Sequence, residues 1–263
     1  MPSDASRSGT AAPFRQGEDP ANIAAHESTS PPPPAGTTQS FRYDGDALLW
    51  LMQANDSQYP SGAYAHSYGL EELVESGSVK DAAGLERFLE TQIVPALLTF
   101  ELPYFVRAHE AALKEDAAGL LGLDADLDAW RLPAETRDAS RRIGSRRLEL
   151  LRQLSPSPLV EGHHAACPFS HHLVVTAIEL SSLPVAFAAR AFAFQTITGF
   201  ATASMKLLRI GQTACQGIVR RTLERLGSHL ETSLTRQPDG WFNPLLEIAS
   251  LRHARADARL FIS

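Results

Sequence analysis

One stretch of this chain concentrates side chains that can bind metals: His163-His164-Ala165-Ala166-Cys167-Pro168-Phe169-Ser170-His171-His172. Neutral imidazole and thiolate suit nickel, zinc or copper. The spacing matches no recognised ligand frame, and paired histidines also stand at loop–helix junctions without any metal. Two readings are open. One is a helical metal-binding protein, or an enzyme, with an atypical site at His163, His164, Cys167, His171 and His172. The other is structural, with His171 or His172 near a helix start.

A second stretch, Asp56 to Glu71, packs turn formers, small residues, three tyrosines and His66 between two apolar segments. Pro60 disfavours helix at Tyr59, and Ser61 is placed to cap a new helix. From Gly62 onward, Tyr64, Ser67 and Tyr68 would share one helical face. His66 and Ser67 are neighbours on that helix, so their side chains diverge by about 100°, which argues against a Ser–His dyad. Gly69 would lie inside the helix, at a cost of roughly 1 kcal/mol against Ala, which implies a close approach by another backbone. The expectation is a helix that displays tyrosine and histidine to a partner; the alternative is a tight loop with a buried helix. Elsewhere no phosphate loop of the Gly-x-x-x-x-Gly-Lys-Ser/Thr type and no Gly-x-Ser-x-Gly elbow occurs. No pair of carboxylates stands out. No motif supports enzyme activity.

These residues need a scaffold. The chain has 263 residues, 44% apolar and 21% charged, enough for a sizeable core. A formal charge of -6 makes it a poor polyanion binder. Two cysteines, Cys167 and Cys215, give no disulfide framework. No uncharged apolar run reaches the roughly 18 residues that span a bilayer, and the N-terminus lacks a basic-then-apolar leader. A soluble, cytoplasmic protein is expected.

Residues 1–40 hold seven of the 17 prolines and no Leu, Val, Tyr or Trp. Such a composition cannot offset its ordering entropy, so a disordered Pro-rich tail is expected there, with an ordered domain over 41–263. Ala47–Met52 reads as a short buried helix. Gly77 supplies a stop, and Asp81 can cap the next helix. Pro95 and Pro103 should break or kink the chain beyond it. Lys114–Leu132 reads as a loop with a short turn of helix. A helix then runs from Pro133 to about Leu154, basic through Arg137, Arg141, Arg142, Arg146, Arg147 and Arg152, on a solvated face or as a patch for an acidic partner. Long apolar helical stretches come next, to a stop at Gly227. Asn243-Pro244 reads as cap and first-turn proline of a last helix. Arg190 and Phe194 lie one turn apart on an apolar helix, so Arg190 either snorkels to water or joins Phe194 at a subunit interface. Cys215 reads as a small core residue. With no run that alternates like a strand, the fold class is all-α, a single-domain bundle of about eight to ten helices.

Four segments in order resemble the UreF family of urease accessory proteins. They are Pro60-x-Gly62-x-Tyr64-x-His66-Ser67-x-Gly69-Leu70-Glu71, the basic helix from Asp138 to Leu148, Leu207-Leu-Arg-Ile-Gly-Gln212, and Pro244 to His253 with the finish Arg259-Leu260-Phe261-Ile262-Ser263. The chain departs from the family pattern at Phe169-Ser170, where the family usually shows Phe-Gly, and in its Pro-rich tail. The resemblance implies an all-helical, non-catalytic homodimer without a cofactor. Such proteins bind UreD/UreH and with it recruit the GTPase UreG, helping to deliver nickel to apo-urease. The resemblance also implies that the C-terminus takes part in binding UreD/UreH. With the residue readings above, partner binding is expected at Tyr64, His66, Ser67, Gly69, Arg252, His253, Arg259, Leu260 and Phe261, and a dimer contact at the Arg190–Phe194 pair of the apolar helix. The last residues carry three large apolar side chains in a row. They either pack on their own bundle or order on a partner; Arg252, Arg255 and Arg259 favour the partner.

Overall fold

Among the described residues there are ten helices and no strand. The computed structural model describes residues 45–238, 240 and 243–263. The Pro-rich tail and the start of order near Phe41 lie outside them. The helices are α1 (Gly45–Ala54), α2 (Leu70–Glu75), α3 (82–113), α4 (Ala117–Trp130), α5 (Ala134–Leu154), α6 (Pro158–Ala166), α7 (His172–Glu179), α8 (Val185–Leu207), α9 (Gln212–Leu234) and α10 (Pro244–His253).

Helix α7 is the hub. Leu173 to Glu179 are all buried, packed between α5 and the second half of α3. Around it α8 and α9 form an antiparallel pair, and α10 lies on α2. Phe105 stacks on Phe192 at 5.0 Å, and Phe88 meets Phe200 edge-on at 5.6 Å, which joins α3 to α8. Helix α5 approaches the backbone before α7 so closely that a Cβ on Gly144 would lie 1.9 Å from the Ser170 carbonyl oxygen. Only glycine fits that crossing.

Several expectations fail for physical reasons. Pro95 and Pro103 do not break α3. A wide π-type turn precedes each of them, Leu89–Ile93 and Leu97–Glu101. The wider turn moves the carbonyl that the proline ring would strike. Lys114–Leu132 is not a loop: Asp116 accepts from the Gly119 N–H at 2.9 Å and starts α4, which buries Leu120, Asp124 and Leu127 on one face. Gly227 does not end α9, because Leu226, Leu230 and Ser233 are buried around and beyond it. Helix α1 forms but is not buried all round; Leu48, Leu49 and Met52 are exposed.

The basic face of α5 also needs correction, since Arg147 is fully buried. Its Nε donates to Glu179 of α7, likewise fully buried, and its Nη2 donates to the Ala54 carbonyl at 2.8 Å. Tyr59 donates its hydroxyl to the same carboxylate at 2.5 Å, and the Trp50 indole donates to the Glu179 carbonyl at 3.1 Å. Burial and the neighbouring Glu179 charge push the Tyr59 phenol well above its usual range. One ion pair thus fastens α1 and the loop after it to α5 and α7.

Candidate functional site

The stretch after Pro60 is a folded loop rather than the expected continuous helix. Gly62 takes φ 81°, Ala63–Ala65 make one tight turn, and His66 is extended. Tyr68 has φ 50° and Gly69 φ 85°, which places Gly69 at the cap of α2 and not inside a helix. A Cβ on Gly69 would come within 3.2 Å of the Ala249 Cβ and 3.6 Å of the Leu246 carbonyl oxygen. Helix α10 is the backbone that approaches.

This loop holds the end of the chain. The Ile262 N–H donates to the Ala65 carbonyl at 2.9 Å, and the N–H groups of Ser67 and Tyr68 donate to the Ser263 carbonyl at 2.5 and 3.1 Å. Ser67 Oγ donates to the same oxygen at 2.9 Å, and His66 Nδ1 lies 2.7 Å from Ser263 Oγ. A Ser–His contact therefore exists, but between His66 and a buried Ser263, whose hydroxyl no substrate reaches. Burial, then the Arg142 charge, lowers the His66 pKa to about 4, so the ring is neutral.

Glu71, in the first turn of α2, closes the latch from below. Its carboxylate accepts the Leu260 N–H at 2.6 Å, the Phe261 N–H at 2.9 Å and His253 Nε2 at 2.9 Å. The other ring nitrogen of His253 lies 2.7 Å from Glu135, which also accepts from Ser250 Oγ at 3.1 Å. An imidazole that donates from both nitrogens to two carboxylates is an imidazolium. Burial alone would lower the His253 pKa, but the bonds to Glu135 and Glu71 outweigh it and leave it raised. Burial likewise opposes ionisation of Glu71, yet the Leu260 N–H, His253 and the Phe261 N–H hold its pKa below the usual value.

The nine residues singled out for partner binding divide accordingly. His66, Ser67, Gly69, His253 and Phe261 are buried and hold the tail; they present no side chain outward. Tyr64 at 70% exposure, Leu260 at 63%, Arg252 and Arg259 face solvent. The tail expected to order only on a partner is docked on its own bundle. In the sequence Glu71 merely closes a motif and Glu135 is a first-turn acid. Their pairing with His253 spans 118 residues or more and leaves no local signal.

The His/Cys stretch does not converge on a metal. Among the described residues, no group of three or more His, Cys, Asp and Glu side chains could hold one. His163 Nε2 pairs with Ser170 Oγ at 2.9 Å, while His164 lies beside Arg152 on the outer side. His171 caps α7; its N–H donates to Asp124 at 2.7 Å, and its ring lies between Ser140 and Asp128. His172 turns inward to a cavity of about 160 Å³ that it shares with His66, Tyr68 and Gln195. The Cys167 thiol lies 3.1 Å from Asp124, and burial followed by that bond pushes its pKa up to about 12, so it is no ready thiolate. Cys215 is a buried core residue. No described helix is long and apolar enough to cross a membrane.

The UreF family model matches residues 79–223. Urease accessory protein UreF of Bacillus sp. (strain TB-90) is 30% identical over 224 residues, 82% of this chain and 99% of that protein. The same-named protein of Paenarthrobacter aurescens (strain TC1) is 31% identical over 224 residues, 82% and 97% of the two chains.

The chain belongs to the UreF family.

The family match begins after the Pro60–Glu71 signature and ends before α10. Two of the four segments that resemble UreF therefore lie outside it, and those two build the latch. The UreF-like basic helix lies inside the match, and its Gly144 serves the crossing with the chain before α7.

Proposed function

We propose that the chain is a non-catalytic scaffold of urease maturation. It binds UreD/UreH, recruits the GTPase UreG, and so helps deliver nickel, the cargo, to apo-urease in the cytoplasm. Membership of the UreF family supports the urease setting. The observation that carries the reading is the outer rim of the latch. Tyr64, Arg259, Leu260 and Ile262 are exposed on backbone that the buried latch holds in place. A fixed aromatic–arginine–aliphatic surface suits a protein partner, because little ordering remains to be done on binding. Tyr64→Ala is expected to weaken UreD/UreH binding by on the order of 1–2 kcal/mol while leaving the helical circular dichroism unchanged. Calorimetry on the co-expressed proteins measures this. A wild-type chain that co-purifies with neither UreD/UreH nor UreG would sink the scaffold reading.

The scaffold acts as a homodimer through the outer face of α8. Phe194 is 44% exposed there beside Arg190, whose guanidinium reaches water and pairs with Glu231 at 2.6 Å. Arg190→Ala is expected to shift sedimentation at micromolar concentration towards monomer with helicity retained. A fully dimeric variant would place the interface elsewhere.

A further inference from the structure

Beside the latch lies an open groove of about 990 Å³ between the signature loop, α5 and the Cys167–Phe169 turn. Its walls combine two kinds of surface. Tyr64, Phe169 and Ile262 are at least half exposed along it, at 70%, 69% and 51%, with Pro60, Ala65 and Pro168 between them. Arg141, Arg142 and Arg146 line the α5 side. Asp128 engages Arg141 at 2.6 Å. Arg142 and Arg146 are exposed and have no ion-pair partner among the described residues. The Arg146 stem runs beside Gly62, where a Cβ would lie 4.0 Å from its Cδ. Asp138 is the one carboxylate among the described lining residues.

We propose that this groove takes an acidic segment of a partner protein, with carboxylates against Arg142 and Arg146 and apolar side chains against Tyr64, Phe169 and Ile262. The proposal rests on the scaffold reading, since it deepens what the rim near Tyr64 does. Two unpaired guanidinium groups beside fixed aromatic and aliphatic surface are the composition of an interface centre. A carboxylate partner is selected because guanidinium forks pair bidentately with carboxylates. A nucleic acid is disfavoured by the chain's net charge of -6 and by the presence of only two exposed rings, Tyr64 and Phe169, rather than a run of stacking side chains.

The test uses the full chain and its Arg142→Glu/Arg146→Glu variant. Both residues are exposed, so the variant is expected to keep the helical circular dichroism of wild type, which is measured first. Three probes are titrated: the UreD/UreH partner, a short labelled peptide of alternating Glu and Leu, and a single-stranded oligonucleotide. The variant is expected to bind partner and peptide about tenfold more weakly, with loss of the salt dependence seen in wild type. Equal binding of partner and peptide by both proteins overturns the groove. Tighter binding of the oligonucleotide than of the peptide overturns the choice of a protein segment. If wild type binds the peptide and not UreD/UreH, the groove stands and the urease reading falls.

Discussion

Arg147→Met is expected to lower the unfolding free energy by about 3–5 kcal/mol, a large share of a domain's stability. The reason is the charge it leaves behind. Glu179 sits on α7 among side chains that are all buried, and its carboxylate is fully shielded from water. Without the guanidinium it keeps only the Tyr59 hydroxyl. It must then bind a proton or draw water into the core, and either route costs free energy. The Ala54 carbonyl loses its donor as well, so the loss spreads to α1 and the loop that carries the latch. Urea unfolding followed by circular dichroism measures the change. A loss below about 1 kcal/mol would show that the pair is not shielded as described. The double change Arg147→Met with Glu179→Leu removes both charges and is expected to recover most of the loss. That recovery would separate the cost of a stranded charge from the loss of packing.

The sequence contained the sign of this pair. Arg147 lies four residues after Ile143 and four before Leu151, on the apolar side of α5 and not on its basic face. Glu179 closes a helix in which Leu173, Val174, Val175, Ala177 and Ile178 are all apolar. A charge on an apolar stripe asks for a partner, and these two answer each other; counting Arg147 with the exposed arginines hides it. The all-helical class, the caps at Asp81 and Asn243 and the buried Cys215 were legible because each depends on local pattern. The π-turns were not, since proline marks a broken ladder without telling how the chain repairs it. Helix α4 was obscured by Leu121, which adds an apolar residue off the buried face. Adjacent His66 and Ser67 read as helical neighbours, yet in the folded loop both reach Ser263, His66 at its hydroxyl and Ser67 at its carbonyl oxygen. Contacts of that kind join residues nearly 200 positions apart, and no window of sequence displays them.

Glu71→Gln is expected to release the tail and to destabilise the protein by about 3–5 kcal/mol. The side chain keeps its size, so packing changes little. Its chemistry does change, because an amide has one acceptor oxygen where the carboxylate has two. The Leu260 and Phe261 N–H groups and His253 Nε2 all point at that position. The amide nitrogen must face at least one of these donors, and the buried imidazolium keeps Glu135 as its one carboxylate. Phe261 then gains freedom to leave the core, and residues after His253 become open to proteolysis. Melting temperature and limited proteolysis together measure this. A variant with unchanged melting temperature and a protected tail would show that the Ser263 contacts alone hold the end. The latch also sets a pH dependence. The depressed Glu71 pKa contributes stability above its ordinary 4.5, which is lost as pH falls through the folded value. The raised His253 pKa contributes stability below its ordinary 6.5, which is lost as pH rises through the folded value. The latch is therefore strongest between those two values and weakens on the alkaline side. The buried neutral rings of His66 and His171, held down to about 4 by burial, act in the opposite sense, losing stability as pH falls below 6.5. They are common to wild type and a His253→Gln variant, so they cancel in the difference. The stability advantage of wild type over His253→Gln should thus shrink as pH is raised beyond 6.5. An advantage that grows with pH would mean that His253 is neutral between its two carboxylates.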